Sequence, residues 1–241
     1  MEETFRRIAT SQTTDALWVC VRDLFWSFGV MRISYHHYPG AVPQSGAERG
    51  VTVTAEGFPE EWVCEYIQGR LYTVDPITEF ARTVHTPFLW EDIEQLMRVT
   101  PEQKDYLMRM RKAGVLTELA FQVYGPLMRN GYVGLGFDGP VPPLSSQDVL
   151  IMQCVAQAGH LRYCDLTQDE AQNTPSLSVR EREVLKWIAQ GKSNGVISDI
   201  LGVSPHTVDT MVRRLYAKLN VADRTTAAIR GIGAGLILPS H

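Results

Sequence analysis

Two stretches of the chain carry side chains whose types and spacing could do chemistry. The first runs from Ser204 to Leu219 and reads SPHTVDTMVRRLYAKL. Ser204 can cap a helix, and Pro205 can take its first position, where a missing N–H costs nothing. On that helix Val208, Met211, Val212, Leu215 and Leu219 share one face. His206, Asp209, Thr210, Arg213 and Ala217 lie opposite, flanked by Arg214 and Lys218. One face packs, and the other offers hydroxyl and guanidinium groups of the kind that read base edges and hold phosphates. Asp209 and Arg213 are also spaced to pair with each other on the helix surface. The second stretch is Trp62-x-x-x-Tyr66, whose spacing puts an indole and a phenol on one helical face. Taken alone, such a pair is more often core packing than a binding site. The histidines offer less. His36 and His37 are adjacent, so they face opposite sides of a strand and form no metal pair, and His85 and His160 stand alone. They read as surface or turn residues. No nucleophile elbow or phosphate loop is present, so neither catalysis, a metal nor a cofactor is expected.

The elements around the first stretch form an ordered series. Ser178 followed by Glu181 makes a capping box, and Val184, Leu185, Ile188 and Ala189 then recur at helical spacing up to Gly191. A second helix is expected from about Ser193 to Leu201, stopped by Gly202. The helix capped by Ser204 comes third, and a fourth runs from Asp223 to about Ala234, ending at Gly235. Two helices joined by a tight glycine turn, with polar residues along the second, is the helix-turn-helix plan. From residue 175 onward the chain carries nine Lys/Arg and five Asp/Glu, or +4, and the remainder is therefore −8 within a total of −4. A small basic module attached to a larger acidic one follows. The polar run LTQDEAQNTPSL marks the boundary, giving domains at 1–165 and 177–241 with a linker at 166–176.

The larger module reads as α+β: helix over 1–28, strands at 32–38 and 51–55, and helices at 58–70 and 100–113. Two more strands follow, TELAFQVYG and GYVGLGF, and a last helix spans 145–163. With 241 residues and 44% hydrophobic content the chain can bury a substantial core. No apolar run is long enough to span a bilayer, the N-terminus has no signal core, and the four scattered cysteines suit a reducing cytoplasm.

The run LSVREREVLKWIAQGKS, followed by ILGVSPHTVDTMVRRLYAKLNVADRTTAA and GLI, resembles the LuxR-type helix-turn-helix. Glu181, Leu185, Gly191, Gly202, Thr207, Val208, Lys218, Leu219 and Arg224 fall on that family's characteristic positions. Gly195 to Ser198 stands where members usually have an E-I-A core. Met211 replaces a frequent histidine, and Asp209 occupies a common contact position. The resemblance implies a ligand-responsive transcriptional regulator that binds double-stranded DNA as a homodimer on a palindromic site, with RNA polymerase as a further partner. Arg213 is the candidate to read a base edge. Arg214, Lys218, Lys192 and the backbone near Ser204 are candidates for phosphates, with His206, Thr207, Asp209 and Thr210 on the same DNA-facing side.

The acidic module resembles the autoinducer-binding domain of LuxR-type quorum-sensing receptors, an αβα sandwich with an antiparallel sheet. A phosphorylated receiver is not expected, because residues 1–60 show no strand followed by paired acids. In acyl-homoserine-lactone receptors the tryptophan matching Trp62 donates to the lactone carbonyl. The tyrosine matching Tyr66 bonds the amide carbonyl, and the aspartate matching Asp75, in VDP, accepts the amide N–H. Trp90, in PFLWED, supplies an apolar wall. The runner-up reading is an orphan regulator that answers a non-lactone ligand or none, and an acyl-lactone-processing enzyme is a distant third. Glu118 departs from the family, which usually has glycine there. By alternation Glu118, Ala120 and Gln122 share a strand face. Either that face lines the pocket, placing an acid beside the ligand, or Glu118 lies at the strand end in water. Gly134 and Gly136 stand where serine or threonine is often found, and would leave open space or keep the sheet flat.

Overall fold

The computed structural model describes residues 1–38, 51–115, 118–167 and 175–238. Thr117 and most of the 166–176 linker lie outside them. The described residues fall into two compact units, 1–38 with 51–167, and 175–238.

In the first unit α1 (Glu2–Thr10) and α2 (Thr14–Ser27) precede β1 (Val30–His37) and β2 (Thr52–Glu56). The single helix expected over 1–28 is broken, because Ser11 leaves helical geometry and Thr13 caps a new start by accepting from the Ala16 N–H. Then come α3 (Glu60–Gln68), α4 (Pro76–Ala81), β3 (Phe88–Leu89), α5 (Ile93–Leu96) and α6 (Pro101–Lys112). The unit closes with β4 (Glu118–Val123), β5 (Gly131–Phe137) and α7 (Ser146–Leu166). Of these, α4, β3 and α5 are too short to show a period in the sequence.

The five strands form an antiparallel sheet in the order β2-β1-β5-β4-β3. Alternation separates its faces. Ile33, Leu119, Phe121, Val123, Val133, Leu135 and Phe137 pack on residues of α1, α2 and α7. Ala120 and Tyr132 join a second core with Trp62, Tyr66, Ile77, Trp90, Tyr106 and Leu107. The unit is an αβα sandwich, and its second layer holds the residues singled out for ligand chemistry.

The second unit is helical: α8 (Val179–Ala189), α9 (Asn194–Leu201), α10 (Pro205–Leu219) and α11 (Arg224–Gly233). Each start is capped by the side chain of Ser178, Ser193, Ser204 or Asp223, and the Ser178–Glu181 capping box is formed in both directions. Gly202, at φ 64°, makes the turn between α9 and α10 in a left-handed conformation that glycine adopts without strain. Val208, Val212, Leu215 and Leu219 are buried on one side of α10. They pack on Val184, Leu185, Ile188, Ile197 and Ala227.

Candidate ligand cavity and DNA-facing helix

Between the sheet and α3 lies a cavity of about 30 Å³ within a cleft of about 390 Å³, mouth included. Trp62, Tyr66, Asp75 and Trp90 all line it, together with Phe58 and Tyr106 from the helical layer and Ser34, His36, Val53, Ala55 and Tyr132 from the sheet. The chain delivers each by simple means. The four-residue spacing on α3 turns Trp62 and Tyr66 inward together, with ring centroids 6.2 Å apart. Asp75 is the N-cap of α4, whose first residue is Pro76.

The Asp75 carboxylate is only 6% exposed, and burial raises its pKa from 3.8 to about 6. One of its oxygens accepts from the Ile77 N–H at 2.8 Å, and the other accepts from the Tyr66 hydroxyl at 2.8 Å. A phenol has one hydrogen to give. Tyr66 therefore gives its hydrogen to Asp75, a different role from the carbonyl donor that the resemblance implied.

Four other cavity-lining polar atoms are buried without a hydrogen-bond partner: Ser34 Oγ, His36 Nδ1, Trp90 Nε1 and the Tyr132 hydroxyl. Desolvation lowers the His36 pKa to about 3, so the ring is neutral. Trp90 stacks on Tyr132 with centroids 6.5 Å apart, and its indole N–H is a free donor in addition to the apolar wall expected of it.

Ala120 and Glu118 occupy the same sheet face as the cavity, but neither is part of its lining. Ala120 is fully buried and sits opposite Gly134 and Phe88. Glu118 is 0% exposed, which overturns the strand-end reading in water. Its Oε1 lies 3.4 Å from Arg32 Nε, and Arg32 also donates to the Phe137 carbonyl at 2.6 Å. Burial raises the Glu118 pKa from 4.5 to about 8, against the opposing pull of Arg32. Glu118 Oε2 has no partner.

The two glycines opposite do not leave open space. A Cβ on Gly136 would lie 2.7 Å from Glu118 Oε1 and 2.9 Å from Arg32 Nε. One on Gly134 would lie 2.6 Å from Ser34 Oγ, 2.8 Å from the Trp90 ring and 3.1 Å from the Tyr132 hydroxyl. The larger side chains around each glycine occupy the room that a side chain there would need.

The expectation that histidines sit at the surface fails for three of them. His36, His37 and His160 are buried. His160 Nε2 must donate to the Arg129 carbonyl at 2.7 Å, since a carbonyl only accepts, and its Nδ1 then accepts from the Tyr35 hydroxyl at 2.7 Å. Among the described residues no group of three or more His, Cys, Asp or Glu is placed to hold a metal ion.

In the helical unit His206, Arg213, Arg214 and Lys218 are exposed along α10, with Thr207 and Thr210 half-buried beside them. Ser204 caps the helix and shares a 2.8 Å hydroxyl contact with Thr207. The Thr210 hydroxyl turns back to the His206 carbonyl at 3.0 Å. Two residues assigned to DNA instead have partners inside the unit. Asp209 accepts from Asn194 Nδ2 at 2.7 Å, and Asn194 in turn accepts from Arg224 at 2.9 Å. Asp209 thus joins α9 to α10 and is not paired with Arg213. Lys218 Nζ lies 2.6 Å from Glu181 Oε2, so it ties α10 to the capping box of α8. The Lys192 side chain is exposed, while its backbone carbonyl accepts from Arg224. Sequence spacing alone could not reveal these ties, because each joins residues 15 to 37 positions apart.

Comparison with known proteins follows the same division. The family model described as autoinducer binding domain matches residues 13–163, and that of bacterial regulatory proteins, luxR family, matches residues 175–230. The HTH-type quorum sensing-dependent transcriptional regulator RpaR of Rhodopseudomonas palustris is 28% identical over 196 residues, 81% of this chain and 79% of that protein. The transcriptional activator protein LuxR of Aliivibrio fischeri is 24% identical over 217 residues, 86% and 84% of the two chains. The crystal structure of Escherichia coli SdiA superposes with a TM-score of 0.76 at 21% identity, covering 98% of this chain and 97% of that one, which shows a shared fold. Among the described residues no helix is long and apolar enough to cross a membrane. With an autoinducer-binding domain over more than half its length and a helix-turn-helix behind it, the chain belongs to the LuxR-type family of ligand-responsive, DNA-binding transcriptional regulators.

Proposed function

We propose that the chain senses an N-acyl homoserine lactone or a closely related acyl amide in the cavity beneath α3. Residues 1–165 serve as the ligand domain and 177–241 as the DNA-binding domain, joined by 166–176. The observation that carries this reading is the buried Asp75 carboxylate in a cavity lined by Trp62 and Trp90. A carboxylate out of water needs donors; Asp75 accepts from the Tyr66 hydroxyl and the Ile77 N–H, and the Thr78 N–H and the Tyr106 hydroxyl also favour its charged form. A ligand amide N–H supplies another. Trp62 donates to the lactone carbonyl, and the amide carbonyl falls to the free donors on the sheet side, because Tyr66 is engaged with Asp75. Mass spectrometry of small molecules retained by the purified protein tests this directly. An acyl lactone or acyl amide is expected, and a retained molecule without an acyl group points elsewhere. The second reading, a non-lactone ligand, is favoured by the buried Arg32–Glu118 pair on the ligand face of the sheet.

The DNA reading is a homodimer on a palindromic promoter site, acting in the cytoplasm with RNA polymerase as a further partner. A basic module of +4 is weakly attracted to DNA as a monomer. In this reading α10 enters the major groove, Arg213 reads a base edge, and Arg214, Lys192 and the N–H groups near Ser204 hold phosphates. Lys218 and Asp209 keep the helices in place. Arg213→Ala should cost about 1–3 kcal/mol at one base position, while Lys218→Ala lowers the stability of the unit. Titration of specific and scrambled duplexes at two salt concentrations checks the first, and equal losses on both duplexes would remove Arg213 from base readout.

A further inference from the structure

The first helix of the helical unit has an outer face that the DNA reading leaves unused. Its inner face is made of Glu181, Val184, Leu185 and Ile188, all buried. On the outer side Val179, Arg182, Glu183 and Lys186 form one wall of a groove of about 630 Å³, and residues 235–238 form the other. Gly235, at φ 65°, turns the chain after α11, and the Leu236 N–H donates to the Gly231 carbonyl. Leu236 and Ile237 then pack into the core with Leu185. Val179 and Leu238 stay outside, 76% and 80% exposed. Glu183 is paired with Arg180 at 2.8 Å, whereas Arg182 and Lys186 are exposed and have no ion pair among the described residues. No residue of α10 lines the groove.

An apolar groove beside two unpaired cations selects among partners. Two-fold contact with a second copy is disfavoured, because the same patch on both copies would set Arg182 and Lys186 against their own counterparts. DNA phosphates would answer the cations but leave Val179 and Leu238 nothing apolar to bury against. An acidic segment that also carries apolar side chains answers both. Arg182 and Lys186 are one helical turn apart, about 5–6 Å along α8, which matches carboxylates spaced three or four residues apart on a partner helix. We propose that this groove docks an acidic amphipathic helix of another protein. Its apolar side chains lie against Val179 and Leu238, and its carboxylates bond Arg182 and Lys186. The groove shares no residue with the DNA-facing side of α10, so DNA and the protein partner occupy the helical unit together.

The test uses the full-length protein and a fluorescently labelled, end-blocked, alanine-based helical peptide. Leucines run along one face of the peptide, with glutamate pairs spaced four residues apart beside them. One control peptide replaces every glutamate by lysine, and another replaces every leucine by alanine. In anisotropy titrations the native chain should bind the glutamate peptide saturably and ~10-fold or more tightly than either control. In the double variant Arg182→Glu/Lys186→Glu the order should reverse, so that the lysine peptide binds ~10-fold or more tightly than the glutamate one. Both positions are exposed, so thermal unfolding of this variant should match that of the native chain. Val179→Asp should weaken the glutamate peptide ~10-fold and leave the oligomeric state unchanged in sedimentation. No saturable binding, no preference for glutamate over lysine, equal binding of the leucine and alanine peptides, or a preference that the charge reversal does not invert overturns the proposal. A changed oligomeric state in Val179→Asp would make the groove an interface between copies. Displacement of the peptide by a scrambled duplex would make it a nucleic-acid contact, and either result also overturns the proposal.

Discussion

The two units treat their polar side chains in opposite ways. In the helical unit, polar groups turned inward find partners inside the fold: Glu181 with Ser178 and Lys218, and Asp209 with Asn194 and then Arg224. Its unengaged cations, Arg213 and Arg214, point to solvent. In the sandwich unit, donors on Ser34, Trp90 and Tyr132 are buried with nothing to bond. A surface that binds DNA can keep its reading groups hydrated until DNA arrives. A cavity that binds a small molecule cannot, so its reading groups pay for burial in the unliganded protein. Unpartnered interior groups and exposed cations therefore point to two different kinds of partner.

Filling the cavity should separate the units most sharply. Gly134→Val drives a side chain into Ser34, Trp90 and Tyr132. It should destabilise the sandwich unit by about 3 kcal/mol and abolish ligand-induced stabilisation, while the helical unit unfolds as before. Calorimetric unfolding with and without an acyl lactone resolves this, and a retained ligand shift would mean that the cavity is not the site.

A smaller effect is expected from pH. The Glu118 pKa is raised in the folded chain, from 4.5 to about 8. Its contribution to stability is full below the unfolded value and is lost as pH rises through 8. His36 and His160 act in the opposite sense, with pKa values lowered from 6.5 to about 3 and about 4, so their contribution is complete above about pH 6.5. Between pH 6.5 and 8 the sandwich unit should lose roughly 1–2 kcal/mol, and Glu118→Gln should flatten that fall. Denaturant unfolding across this window measures it, and an unchanged slope in the variant would remove Glu118 as the cause.

The smallest change belongs to the helical unit. Ser178→Ala removes the hydroxyl that accepts from the Glu181 N–H at 3.2 Å and should cost about 1 kcal/mol. Ligand binding should be untouched. Linked losses in both units would contradict their independence.

The same contrast explains what the sequence disclosed. The helical unit is written in local signals: Ser178, Ser193, Ser204 and Asp223 act within three residues, and Gly202 within a single turn. Its architecture was legible almost residue by residue. In the sandwich unit the alternation that put Glu118, Ala120 and Gln122 on one face was legible too. The state of Glu118 was not, because Arg32 reaches it from 86 positions away across Gly136. Burial of His36 and His160 leaves no local signal for the same reason, and neither does the Gly134 cluster, whose members share no sequence period.

The most direct test of the ligand reading uses the tryptophans. Trp18, Trp26, Trp62 and Trp90 belong to the sandwich unit, and Trp187 to the helical one. In a Trp187→Phe background, fluorescence reports the ligand unit alone, and two of its reporters line the cavity. Titration with homoserine lactones from N-butanoyl to N-dodecanoyl, plain and oxygen-substituted, should give a saturable change for at least one. Asp75→Asn should weaken that binding by about 2 kcal/mol, roughly 30-fold, through loss of a charged acceptor. No saturable response to any of them, or equal affinity in the Asp75→Asn protein, would contradict an acyl-amide signal held by Asp75.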